Sequence, residues 1–246
     1  MKQGTLIYGF VGLVIGLVGG FWAANTVARN FSQPFVNQKS IPLKQEQQPA
    51  GNSEKLTGEE IKASFAAAES RKDDFVFQKK LGLALARYAA AENDASFLPE
   101  LINLLERASR LANEKDFEIL MTLADVYFFQ AREKNDPDLY DKSKELYQRA
   151  IRLNPDSAEA KMAYASTFLY SKPPRPDAAV KELNLILKQF PRNEGVLQLL
   201  ISALIQSGDV EIAEQRLSEL KKINSNNPAI PDLESQLTQN KIKLKP

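Results

Sequence analysis

The chain has 246 residues, 43% hydrophobic and 26% charged, a composition that fits one or two globular domains. Cysteine and histidine are both absent, which removes disulfides, thiol nucleophiles, thiolate metal sites and the commonest general base and haem ligand. Net charge is +1, with five Lys/Arg and two Asp/Glu in residues 1–56 and 27 and 29 in the remainder, so there is no basic face for nucleic acid. The expectation is a non-enzyme with no catalytic residues, no metal, no cofactor and no nucleic-acid partner.

In chain order, the first element is the uncharged run Thr5–Ala24, with Tyr8 near one end and Trp22 near the other. About 20 apolar residues cross a bilayer as a helix, and aromatics gather at its interfaces. Residues 1–29 are therefore expected to form an N-terminal transmembrane anchor. A cleaved signal peptide is the alternative, because Thr26-Val27-Ala28 offers a small-residue cleavage site. The length of the run and its glycines at 9, 12, 16, 19 and 20 favour the anchor. Gly12, Gly16 and Gly20 share one helix face and would let two copies pack closely as a homodimer, although glycine is also common in membrane helices generally. The short head with Lys2 is expected to stay cytoplasmic, placing the bulk of the chain outside a bacterial inner (cytoplasmic) membrane.

Residues 30–56 are expected to be a disordered linker. Pro34, Pro42 and Pro49, the Gln45–Gln48 cluster and Gly51-Asn52-Ser53 leave too little apolar surface to offset ordering entropy. A leading helix is expected over 57–72, started by the capping box Thr57-Gly58-Glu59-Glu60 and carrying the stripe Ile61, Phe65, Ala68.

Repeats follow over residues 73–227. Residues 78–113 and 120–155 hold nearly the same hydrophobic pattern 42 positions apart: Leu81 with Leu123, Gly82 with Ala124, Leu105 with Tyr147, Ala108 with Ala150. Two further helix–turn–helix units read Tyr164-Ala165, Phe168, Ala179, Leu183, Ile186, Pro191 and Leu197, Leu200-Ile201, Leu204, Gly208, Ala213, Leu217, Leu220. Small residues at Ala124, Ala150, Ala165 and Ala213 mark close helix crossings, Gly208-Asp209 a tight turn, and Pro155 and Pro191 the ends of second helices. Extra residues near Ala91–Ser96, Glu133–Asp138 and Pro173–Pro176 are expected to lengthen loops on one rim. A C-terminal capping helix and tail, residues 228–246, should close the stack with a polar outer face.

This arrangement resembles the tetratricopeptide repeat (TPR), whose first helix carries Trp-x2-Leu-Gly-x2-Tyr and whose unit closes on proline. The tryptophan is missing from every unit, and Gly82 is the only glycine at its position. The resemblance implies an all-α TPR α-solenoid of about four helix–turn–helix repeats, with flanking helices, behind the single transmembrane helix. An N-terminal anchor followed by such repeats also resembles the TPR portion of cytochrome c biogenesis proteins of the CcmH/CycH/NrfG type, and the single-span periplasmic chaperone subunit beside the protein translocon.

The family's partner-binding groove is lined by first-helix positions just off the packing stripe. Carried over, these are Met121, Asp125, Phe128 and Phe129; Met162, Ser166 and Tyr170; and Gln198, Ser202 and Gln206. Methionine and aromatics suit adaptable binding of protein or peptide clients. The alternative is that Phe128, Phe129 and Tyr170 simply cover core. The expected function is a membrane-anchored scaffold or adaptor holding clients in this groove, with cytochrome c biogenesis at the cell envelope as the implied setting. A translocon chaperone subunit and a self-assembling protein without a client are the alternatives.

Overall fold

A computed structural model describes residues 55–243. The proposed anchor over 1–29, with Gly12, Gly16 and Gly20, and the linker up to Glu54 lie outside the described residues. Within them are ten α-helices and no strand: α1 Gly58–Ser70, α2 Phe75–Glu92, α3 Leu98–Leu111, α4 Phe117–Lys134, α5 Pro137–Leu153, α6 Ala158–Tyr170, α7 Pro176–Gln189, α8 Glu194–Ser207, α9 Val210–Ile223 and α10 Ile230–Lys243. The described residues form two compact units, one ending at Glu133 and the other beginning at Lys134.

In the first unit the capping box is present. Thr57 N–H donates to Glu60 Oε2 at 2.7 Å, and Glu60 N–H donates to Thr57 Oγ1 at 3.2 Å. Four N–H groups at a helix start have no intrahelical acceptor, so this reciprocal pair fixes where α1 begins. Its last carbonyls are met from α2, where Gln78 Nε2 donates to Ala68 O at 2.7 Å and to Arg71 O at 2.8 Å. α2 and α3 form a hairpin at whose crossing Gly82 is required. A Cβ there would lie 2.7 Å from Leu105 Cδ2, and Leu105 is fully buried. Tyr127 of α4 reaches back to α3, its hydroxyl donating to Glu106 Oε1 at 2.6 Å.

The extra residues of the first two repeats do not lengthen loops as expected. α2 and α4 each run 18 residues, against 13 for α6 and 14 for α8. Ala89-Ala90-Ala91-Glu92 and Gln130-Ala131-Arg132-Glu133-Lys134 are strong helix formers, so the helices simply continue. Each then stops at an asparagine in the left-handed region, Asn93 at φ 51° and Asn135 at φ 56°. Only Asn135 and Asp136 are left between α4 and α5.

The second unit is a succession of helices each packed on the next, from α5 to α10. Ser157 and Asn193 cap α6 and α8 through Ala160 N–H at 3.1 Å and Val196 N–H at 3.0 Å. Gly208, at φ 90°, ends α8 and gives the two-residue turn into α9. Leu183, Leu197, Leu200, Leu220 and Ala213 are fully buried in one core that also takes in Leu233 and Leu237 of α10. Besides neighbours in sequence, α6 packs on α8 and α8 on α10, whereas α5, α7 and α9 do not pack on one another. First helices thus form a layer, and the second helices are spaced apart on it. The outward side of α10 is polar and exposed, through Asp232, Glu234, Ser235, Thr238 and Gln239.

Candidate partner-binding face

α8 is apolar from Val196 to Ile205 except at Gln198 and Ser202, and Gln206 continues that spacing of four. A spacing of four keeps side chains on one helix face. The same positions recur 34 residues later as Asp232, Gln236 and Asn240 on α10, and 36 residues earlier as Met162, Ser166 and Tyr170 on α6.

The three helices lie side by side and point the same way. At their starts, the Met162 methyl Cε lies 2.9 Å from where a Gly195 Cβ would stand. At their ends, Gln206 Nε2 donates to Leu169 O at 3.2 Å, and Asn240 Nδ2 donates to Ile205 O at 3.0 Å. The last amides of the α8 and α10 stripes thus each meet a carbonyl in the last turn of the preceding first helix, and Ile205 O also accepts from Gly208 N–H at 3.3 Å. A second polar clasp holds the α9–α10 turn: Asn224 and Asn227 donate to Glu194 Oε2 at 3.0 and 2.6 Å, and Gln198 Nε2 donates to Asn227 Oδ1 at 2.9 Å.

These contacts decide what each expected groove residue offers. Met162 and Ser166 are buried, and the Ser166 hydroxyl is turned back onto Ala163 O at 2.7 Å. Tyr170, Gln198 and Ser202 are half-buried and Gln206 is exposed, so they form the accessible part on α6 and α8. Met121, Phe128 and Phe129 of α4, in the first unit, are buried, with Phe128 only 1% exposed, and Asp125 is half-buried. The stripe on α10 is an addition to the expected set, and the 34-residue spacing was the signal for it.

The accessible stripe residues on α6, α8 and α10 are amides, hydroxyls and one carboxylate, with no Lys or Arg among them. Asp232 accepts from Gln236 Nε2 at 2.8 Å. In the first unit, charge gathers where α2 meets the start of α4. Lys79 Nζ lies 2.7 Å from Asp116 Oδ2 and 3.1 Å from Glu118 Oε2, and Asp116 Oδ1 also accepts from Ile119 N–H at 3.0 Å. Burial opposes ionisation at Asp116, but the Lys79 ammonium and the amides of Ile119 and Glu118 outweigh it and hold the carboxyl below its usual range. Burial likewise opposes the Lys79 charge, and the two carboxylates outweigh it and raise the amine above its usual range. The Tyr127 phenol is pushed up by burial and by Glu106. Among the described residues no three acidic side chains gather closely enough to hold a metal ion.

Parallel first helices in one layer, second helices packed behind, and a 34-residue period define a tetratricopeptide-repeat fold. Residues 175–237, which span α7, α8, α9 and half of α10, match the Tetratricopeptide repeat family model. The fold is similar to that of a thermophilic TPR protein of Thermus thermophilus, at 12% identity over 74% of this chain and 89% of that one, with a TM-score of 0.55. Weaker similarity links it to MamA of AMB-1 (20% identity, 69% and 86% covered, TM-score 0.46). It is comparably weak for YrrB, a TPR protein described as having an unusual peptide-binding site (12% identity, 74% and 94% covered, TM-score 0.46). No curated protein matches the sequence.

Proposed function

We propose that this chain is a protein-interaction scaffold that binds a client peptide across the first helices α6, α8 and α10. The observation that carries the reading is the half-exposed polar stripe on α8, a helix otherwise buried on the sides that pack. Its amides and hydroxyls offer hydrogen bonds to a peptide backbone, and its lack of cations makes it a poor match for phosphorylated or strongly acidic motifs. Tyr170 adds a rigid aromatic with a polar tip, the kind of side chain that anchors interfaces.

The reading extends to a tether at the bacterial cytoplasmic membrane through Thr5–Ala24, with the repeats on the extracytoplasmic side. Work on cytochrome c biogenesis at the envelope is the setting that the arrangement of anchor and repeats suggests. Photo-crosslinking in cells tests the face and names the client. The photoreactive residue p-benzoylphenylalanine is placed at Tyr170 or Ser202 of the full chain, and at Ile212, exposed on α9, as control. The expected result is one adduct of defined mass at 170 and 202 that is absent at 212. A cytochrome-maturation component in that adduct supports the pathway, and a translocon component transfers the chain to the chaperone alternative. Adducts only with a second copy of the chain, or equal adducts at all three positions, sink the client reading.

A further inference from the structure

Because α5 and α7 do not pack on each other, a cleft of about 520 Å³ opens between them with α6 as its floor. A volume of this order is typical of ligand sites. α5 contributes Gln148, Ile151 and Arg152, and α7 contributes Glu182, Leu185, Ile186 and Gln189, each set on one face of its helix. α6 contributes Lys161 and Tyr164, which at 100° per residue point away from the side bearing Ser166 and Tyr170. The cleft is therefore separate from the stripe proposed above.

Two properties single it out. Leu185 is 50% exposed in its wall, although a leucine at a packed helix position is normally covered. Arg152 and Lys161 carry charge into the same space without an acidic partner among the described residues. Lys161 donates to the neutral Gln189 Oε1 at 2.6 Å, and the Tyr164 hydroxyl accepts from Gln148 Nε2 at 3.0 Å, which leaves its own proton available. Glu182 lines the cleft without pairing to either cation, so the lining has an excess of one positive charge.

We propose that this cleft is a second docking site, taking a short linear peptide in which an acidic residue stands next to an apolar one. The carboxylate meets Lys161 and Arg152, and the apolar side chain covers Leu185 and Ile151. Charge complementarity selects this occupant over a wholly apolar one, which would cover Arg152 and Lys161 without bringing them an opposite charge.

The test uses the detergent-purified full chain and three fluorescein-labelled hexapeptides that alternate leucine with glutamate, glutamine or lysine, followed by anisotropy. The glutamate peptide is expected to bind about tenfold tighter than the glutamine one, as two exposed ion pairs allow, and to weaken as salt rises. The double variant Arg152→Glu/Lys161→Glu should lose that tenfold, and Leu185→Asp should weaken both peptides; both changes fall on exposed or half-exposed side chains. Ile212→Ser, exposed on α9 and outside the cleft, should change nothing. Equal affinity for the three peptides, no binding at millimolar peptide, or an affinity unchanged by the cleft variants overturns the proposal. A failure of the photo-crosslinking at 170 and 202 leaves it standing.

Discussion

Asp116 holds two things at once: the first amides of α4 and the ammonium of Lys79. Removing a capping carboxylate costs roughly 0.5–2 kcal/mol, and a hydrogen bond to a charged group roughly 1.5–3. Asp116→Ala should therefore lower stability by about 2–3 kcal/mol in urea titration at neutral pH, while Asp116→Asn, which keeps an acceptor for Ile119, should cost less. The pH dependence follows from the two shifts. The carboxyl is depressed in the folded state, so its contribution is present above the unfolded value near 3.8 and is lost as pH falls below that range. Lys79 is raised, so its contribution is present below 10.5 and is lost as pH climbs past that value. Wild type should weaken at both extremes relative to the doubly neutral variant Lys79→Met/Asp116→Asn; parallel curves would show that the pair contributes nothing. Gly82 poses a purely steric case. Valine there adds helix-disfavoured branching and drives its Cβ into Leu105, which has no exposed side to move toward. Overpacking of this kind costs about 1–3 kcal/mol, and Gly82→Val should sit at the upper end in the same titration.

At the scale of elements, the amide clasps make a sharper prediction than the apolar core does. Gln206 and Asn240 occupy equivalent places and each closes the end of the preceding first helix. Truncation removes the side-chain donor from a last-turn carbonyl, so Gln206→Ala should cost about 1 kcal/mol and Asn240→Ala less, because Ile205 O keeps the Gly208 N–H, and the two should raise amide exchange in the last turns of α6 and α8 respectively. If exchange rises evenly over the whole second unit, the clasps are not local locks. The helices themselves were legible in the sequence because their cues are local: the Thr57 capping box, the Gly208 turn, and the apolar spacing from Leu197 to Leu204. The lengths of α2 and α4 were not, because Ala89–Glu92 and Gln130–Lys134 carry no apolar period, and only their intrinsic helix preference shows that the turn comes later. The site was legible in part. Gln198, Ser202 and Tyr170 could be placed on a helix face by counting, but the burial of Met162 depends on Gly195, 33 residues away, which no local pattern displays. The face of α10 is written only in the 34-residue spacing of Asp232, Gln236 and Asn240, polar residues that the solvated outer face of a capping helix also accounts for.

For the whole molecule the open physical question is the tether. No helix among the described residues is long and apolar enough to cross a membrane, so the proposed attachment rests on Thr5–Ala24 alone. Twenty uncharged residues suffice to span, and a helix that spans is not released by carbonate, which strips proteins held only by charge. The full chain should stay in the pellet after carbonate extraction at its full mass, and deletion of residues 2–29 should move it to the supernatant. A shorter product whose new N-terminus lies after Ala28 would identify a cleaved signal instead. Sidedness can be read cleanly because the chain has no cysteine, so a single introduced thiol is the only one that reports. Ser235, exposed on the polar side of α10, is a suitable place. Ser235→Cys should react with a membrane-impermeant maleimide in intact spheroplasts to the same extent as after lysis. Reaction only after lysis would put the repeats on the cytoplasmic side. Envelope clients, cytochrome maturation included, would then be out of reach, and the search for a partner would pass to cytoplasmic proteins with the same helix face as its guide.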